Sequence, residues 1–234
     1  MKHWIKDALS GLGRLFFPAL CEHCSTELKG SEQVLCLSCT LQLPLTGYHL
    51  HPENRAFQNF TGRIPIEQAT SFVYFTKQGM MQHLLHRLKY KGRQAIARHL
   101  GMLMGDALKK AGWLDTIDGI VPVPLHKSKA RLRGFNQAAL LAEGIAAASG
   151  LPVWDRQLKR RRPTESQTRK SRSERMGNVD GAFRLLHASS IEHRHILLVD
   201  DVLTTGATLE ACALELRKAE GVRISIATLA LATD

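Results

Sequence analysis

Four of the five cysteines stand in two pairs. Cys21 and Cys24 form C-E-H-C, and Cys36 and Cys39 form C-L-S-C after eleven intervening residues. Each Cys-x-x-Cys knuckle brings two thiolates to one metal across a tight turn, and two knuckles at this separation match a tetrahedral zinc site. All four ligands are thiolates, which leaves no position for water, so the expected Zn²⁺ is structural. His23, inside the first knuckle, is a substitute ligand for a site that four thiolates already fill. Disulfides are the alternative, but they belong to oxidising compartments. A redox Cys-x-x-Cys normally comes once, inside a larger βαβ fold. Cys212 lies in an apolar helical stretch and reads as a small buried hydrophobe.

The second chemical constellation is H-I-L-L-V-D-D-V-L-T-T-G-A-T at 195–208. Ile196, Leu197, Leu198 and Val199 form a continuous apolar run, the pattern of a strand buried on both faces of a parallel sheet. Asp200 and Asp201 end it, and Thr204, Thr205, Gly206, Ala207 and Thr208 make a small-residue turn into a helix. Ligands of open α/β sheets bind at the carboxyl ends of such strands. A loop at a helix N-terminus offers N–H groups to phosphate. Carboxylates accept sugar hydroxyls or hold Mg²⁺ through oxygen. Together these describe a site for a phosphorylated sugar. An ordinary N-capped helix accounts for Thr205 or Thr208, but not for the adjacent carboxylates.

Charge points the same way. The chain has 32 Lys and Arg against 21 Asp and Glu, a net +11. Residues 125–178 alone carry 13 Lys and Arg against four acids, +9 of that total. Such an excess favours anionic partners. One basic stretch, with Lys127, Lys129, Arg131 and Arg133, reads as a loop after an expected strand at 117–124 and suits a multiply charged anion. The other, at 158–183, is polar and almost free of large apolar residues until Met176, and is expected to be mobile. Aromatic residues are only 6%, which weakens any reading built on many base-stacking platforms.

The elements that must position these groups follow from periodicity. Strands are expected near 69–76, 117–123, 195–200 and 222–230. Helices are expected at 80–110, broken near Gly92, at 138–148 and after Gly206. This alternation predicts a mainly parallel sheet covered by helices, an α/β class. Residues 48–63, with histidines, Pro52 and Gly62, read as linker, which puts a zinc module at 1–60 and the α/β domain at 61–234. Apolar residues make up 44%, enough for a sizeable core. No run reaches the roughly 18 apolar residues of a membrane span. Residues 1–20 read as a short amphipathic helix, not a signal peptide, so a cytoplasmic setting is expected. Few residues follow the last expected strand, so no C-terminal hood is expected to select a nucleobase.

The string Val-Asp-Asp-Val-Leu-Thr-Thr-Gly-Ala-Thr at 199–208 resembles the signature for 5-phosphoribosyl-1-diphosphate (PRPP) of type I phosphoribosyltransferases. Pro-Val-Pro-Leu-His at 122–126, Arg-Gly-Phe-Asn-Gln at 133–137, Thr164 with Gln167, Arg172 to Val179, Lys89-Tyr90-Lys91-Gly92 and the cysteine knuckles complete a pattern similar to the ComF/GntX family. The resemblance implies a type I phosphoribosyltransferase-like sheet with flanking helices, plus the small zinc module. It implies that Asp200 and Asp201 hold ribose, that Thr204 to Thr208 hold the 5′-phosphate, that the basic loop holds pyrophosphate, and that Mg²⁺ accompanies PRPP. Members of the family are linked to natural competence and use of external DNA, which implies contact with DNA-uptake machinery.

Two functions leave marks in the sequence, and a third, an assembly adaptor held to a membrane-associated uptake machine through the zinc module, leaves none. One is a Mg-dependent phosphoribosyltransferase that releases pyrophosphate to an acceptor nitrogen, for which no general base can be named. The other is a PRPP sensor whose basic surface and zinc module engage single-stranded DNA. Arg160, Arg161, Arg162, Arg169 and Lys170 are the cations expected to serve the flexible loop and DNA.

Overall fold

The computed structural model describes residues 18–161 and 181–232. The chain divides into two compact units, Met1–Leu43 and Pro44–Asp234. In the first, the described residues carry one short helix, α1 (Leu37–Leu41), which places Cys39 in the interior. The expected helix at 1–20 lies almost wholly outside the described residues.

The second unit begins before the boundary expected near residue 60. Residues 48–63 are not a linker. A 3-10 turn at Tyr48–Leu50 leads to α2 (Arg55–Gln58), and Ala56, Phe60 and Ile64 are buried at a spacing of four. Histidines, proline and glycine around them mask that short apolar period. Asn54 fixes the entry: its side-chain oxygen accepts from the N–H groups of Ala56 and Phe57, and its Nδ2 donates to the Ala69 carbonyl at 2.8 Å.

The core elements follow in order: β1 (Gln68–Phe75), α3 (Met80–Lys91), α4 (Gln94–Lys110), β2 (Gly119–Pro122), α5 (Lys127–Arg133), α6 (Gln137–Ser149), β3 (Leu158–Arg160), β4 (Phe183–Leu185), β5 (His195–Leu203), α7 (Ala207–Leu216) and β6 (Arg223–Ala232). The main sheet runs β1-β6-β5-β2 with every pair parallel, and β3 and β4 form a separate antiparallel pair. Helix α3 buries Met81, Leu84, Leu85 and Leu88, the single-stripe spacing of an amphipathic helix, and Gly92 in the left-handed region ends it. Helices α4 and α6 approach through glycine: a Cβ on Gly144 would meet the Arg98 carbonyl oxygen at 2.2 Å, and one on Gly101 the Leu141 carbonyl oxygen at 2.3 Å. The stretch expected as a basic loop is the helix α5, consistent with the good helix propensity of Lys and Arg. Among the described residues, no helix is long and apolar enough to cross a membrane.

Candidate functional site

Strand β5 delivers the acidic pair. Its first five residues are buried, and Asp200 and Asp201 lie partly buried further along the strand. The Asp201 N–H donates to Asp200 Oδ1 at 2.8 Å. Burial, and then the neighbouring Asp201 carboxylate, push the Asp200 carboxyl up to about 7, against the pull of the Asp201 N–H, Lys89 and Arg160. Asp201 Oδ2 forms an ion pair with Lys89 Nζ at 2.6 Å, both side chains being mostly shielded. Lys89 comes from the last turn of α3. The sequence marked its motif only as a family resemblance, and no spacing rule says that it faces Asp201.

The small-residue turn follows directly. Gly206 takes φ +76, a left-handed conformation that suits glycine, and serves as the N-cap of α7 without any side-chain cap. A Cβ there would meet Phe60 Cε1 at 2.9 Å, so the ring lies directly against the turn. Asn59 Nδ2 donates to the Thr204 carbonyl at 3.2 Å, and Arg63 Nη1 donates to the Thr205 carbonyl at 2.9 Å. Arg63 Nη2 also pairs with the Glu210 carboxylate. These three bracing residues come from the segment read as linker. Their polar types at 59 and 63 carry no local signal of the partner, which is more than 140 positions away.

The cations sort by secondary structure. On α5, Lys129 and Arg133 stand four apart on one face and are partly buried, while Arg131 is exposed. Burial, then Arg160, Arg133 and Lys89, hold the Lys129 ammonium below its usual range, and Asp201 acts in the opposite direction. Lys129, Arg133, Arg160 and Lys89 therefore share one electrostatic neighbourhood with the acidic pair. Lys127 opens α5. On β3 the alternation of a strand decides the outcome: Arg160 is drawn inward over the Phe183 ring at 5.2 Å, within charge range of Asp200, while Lys159 and Arg161 are exposed. Arg160 thus joins the acidic centre and leaves the outer face to its neighbours. Arg162, Arg169 and Lys170, with the other motif residues at 164–179, lie outside the described residues.

The four thiols of the small unit converge. Their sulfur atoms all lie within 4.8 Å of one another, and the cysteines are free of disulfides. Cys24 Sγ stands 3.6 Å from Cys36 Sγ. Sulfurs held about 2.3 Å from one tetrahedral zinc are about 3.8 Å apart, so the set fits such an ion with little adjustment. The Cys36 N–H donates to Cys21 Sγ at 3.4 Å, and His23 Nδ1 lies 3.4 Å from Cys39 Sγ, outer contacts of the kind that orient metal ligands. Hydrogen bonds with Thr26 pull the exposed Cys24 thiol down to about 6, whereas burial pushes Cys39 up. The cluster can hold a metal such as zinc. Cys212 is fully buried in α7, and burial pushes its thiol well up, the environment expected of a small hydrophobe.

A parallel sheet with a carboxylate pair on a central strand and a glycine turn into the next helix defines a phosphoribosyltransferase-like domain. The family model for the phosphoribosyl transferase domain matches residues 133–233. The likeness to curated proteins runs further. The chain is 30% identical over 217 residues to Competence protein F of Haemophilus influenzae, covering 87% of this chain and 93% of that one. It is 32% identical over 198 residues to DNA utilization protein YhgH of Escherichia coli, covering 83% and 82%. It is 34% identical over 151 residues to Competence protein ComFC of Bacillus subtilis, covering 63% and 59%. The chain belongs to the ComF/GntX family of competence protein F-like proteins.

Proposed function

We propose that this chain binds PRPP with Mg²⁺ at the strand ends and acts in the uptake and use of external DNA. The carrying observation is the convergence on β5: two carboxylates, a braced glycine turn and the cations Lys89, Lys129, Arg133 and Arg160 in one neighbourhood. Asp200 and Asp201 take the ribose hydroxyls. The turn at Thr204, Thr205, Gly206, Ala207 and Thr208 takes the 5′-phosphate. Helix α5, with Lys127, Lys129, Arg131 and Arg133, takes the pyrophosphate. Carboxylate oxygens are hard donors that suit Mg²⁺. When bound, Mg²⁺ supplies charge that offsets the pyrophosphate. Zn²⁺ is the structural metal of the four thiols, and free thiols suit a reducing, cytoplasmic setting.

The names of the relatives, competence and DNA utilization, support the biological half of this reading. Its physical support is the β3–β4 arm. Lys159 stands directly opposite Arg184 across the pair, both exposed, with the exposed Arg161 next along. Like charges directly opposite repel, and a single-stranded DNA backbone relieves that repulsion.

Calorimetric titration with PRPP and Mg²⁺ tests the site. Asp201→Asn and Thr205→Ala should each weaken binding, and unchanged affinity in both removes the site from the turn. Pyrophosphate release with a panel of acceptor bases separates the enzyme from the sensor. A binding protein gives none above buffer.

A further inference from the structure

The turn at 204–208 is shaped from beneath. Asn59 Nδ2 and Arg63 Nη1 hold two successive carbonyls, those of Thr204 and Thr205, at 3.2 and 2.9 Å. Nη1 of Arg63 also donates to the Asn59 carbonyl at 2.9 Å and lies 3.3 Å from Asn59 Oδ1, so the two side chains act as one clamp. The Arg63 guanidinium is anchored on its other side by Glu210 in the first turn of α7. Phe60, fully buried, blocks the turn from sinking further.

A trans peptide unit points its carbonyl and the following N–H in opposite directions, and the described residues contain no cis bond. Pulling the Thr204 carbonyl toward Asn59 therefore turns the Thr205 N–H away from it. Pulling the Thr205 carbonyl toward Arg63 does the same for the Gly206 N–H. Among the described residues, neither N–H donates to another backbone carbonyl. Without the clamp, either peptide can flip and present a carbonyl oxygen, which repels an anion.

We infer that Asn59 and Arg63 are positioning residues of this turn: by pinning the carbonyls of Thr204 and Thr205 they aim the N–H groups of Thr205 and Gly206 at the phosphate of the ligand. The inference rests on the reading of the turn as a phosphate site. It adds a requirement that the turn sequence alone does not contain, namely that Thr-Thr-Gly works only with a partner supplied from 59–63. Both residues act through the loop and need not touch the ligand.

The test is amide NMR of ¹⁵N-labelled full-length protein titrated with ribose 5-phosphate. In the wild type, the Thr205 and Gly206 amide signals should shift saturably. Arg63→Ala should weaken that titration about tenfold, the usual scale for losing a hydrogen bond from a charged donor. Arg63→Lys, which keeps one donor and the charge but loses the fork, should fall between the two. Asn59→Ala should cost about threefold. Should Arg63→Ala fail to fold, Asn59→Ala and Arg63→Lys carry the same comparison. Equal midpoints in wild type and variants, with the wild-type signals shifting, overturn the clamp while the phosphate reading stands. No shift of either signal in the wild type overturns the phosphate reading itself, and the clamp with it.

Discussion

Among the described residues of the Met1–Leu43 unit, the buried apolar positions are Cys21, Cys36 and Cys39 with Val34, Leu35 and Leu43. In the Pro44–Asp234 unit they fill both faces of a four-stranded sheet, from Ala56 and Phe60 through Ile196–Val199 neighbours to Leu231. Charge divides as unevenly. Residues 1–43 hold four Lys and Arg and four Asp and Glu, so the whole net +11 belongs to the larger unit. Two sources of order thus sit in one chain. The described residues of the small unit bury few apolar side chains beyond its cysteines, and we expect that unit to need a metal held by its four thiols, as chains of about 40 residues generally need such support. The large unit folds by burial, and its chemistry is electrostatic.

The largest expected effect breaks the small unit alone. Metal analysis of freshly purified protein should give one zinc per chain. A strong chelator, or Cys36→Ser, should then unfold residues 18–43, because metal binding and folding are coupled at such sites. Limited proteolysis should cut there, while the melting transition of the large unit stays in place. Absence of zinc in unchelated protein would sink the idea that a metal holds this unit.

The converse change strikes the large unit. Gly144→Ala forces a methyl to within 2.2 Å of the Arg98 carbonyl oxygen, a backbone atom that no side-chain rotation can move. Overpacking of this kind costs about 1–3 kcal/mol, which lowers the melting temperature of a domain this size by about 6 °C. Zinc content should not change. A melting temperature equal to the wild type would mean that α4 and α6 part easily, contrary to their glycine-lined contact.

A smaller effect comes from Asp200, and its sign follows from the direction of its shift. The folded carboxyl titrates at about 7, well above the ordinary 3.8. The folded state therefore binds the proton more tightly, and its advantage is present at low pH and is lost as pH rises from about 4 through 7. Asp200→Asn removes a group whose ionised form is costly, so it should stabilise the large unit at pH 8 and do little at pH 4. We expect the melting temperature to rise at pH 8 and to stay nearly unchanged at pH 4, measured by paired melts at the two pH values. Equal effects at both would show that Asp200 is ionised without penalty.

The sheet was legible because its central strand β5 contains an unbroken apolar run: residues 196–199 announce a strand buried on both faces, and Met81, Leu84, Leu85 and Leu88 announce a helix. The acidic pair and glycine turn were legible because they are contiguous. The residues that complete the site were not. Lys89 reaches Asp201 from another helix, and Asn59 and Arg63 reach the turn from residues whose apolar period, Ala56, Phe60 and Ile64, is hidden among turn-forming types. Contacts of this kind are set by tertiary packing, which leaves no local period. The basic stretch at 127–133 was read by its charge and not by its helix propensity, so the separation of Lys129 and Arg133 from Arg131 came only with the fold.

The smallest effect tests where the surplus charge acts. Charge alone pointed to Arg160, Arg161 and Arg162 together as a nucleic-acid surface. Strand alternation separates those that are described: Arg160 lies over the Phe183 ring within charge range of Asp200, while Lys159, Arg161 and Arg184 are exposed on the β3–β4 arm. Each phosphate contact on a single strand contributes about 0.7 to the slope of log affinity against log salt. Replacing Lys159, Arg161 and Arg184 with Ala should therefore flatten the slope by about 2, and replacing Arg160 alone should leave it nearly unchanged. Backbone contacts carry no direct base information, so the loss should be similar for unrelated sequences. Chelation should not alter the slope either, since residues 1–43 contribute no net charge. Fluorescence anisotropy of a labelled oligonucleotide across a salt series measures all three. If Arg160→Ala flattens the slope as much as the triple variant does, the acidic centre and the DNA surface are one site. If chelation flattens it, the small unit contacts DNA despite its balanced charge.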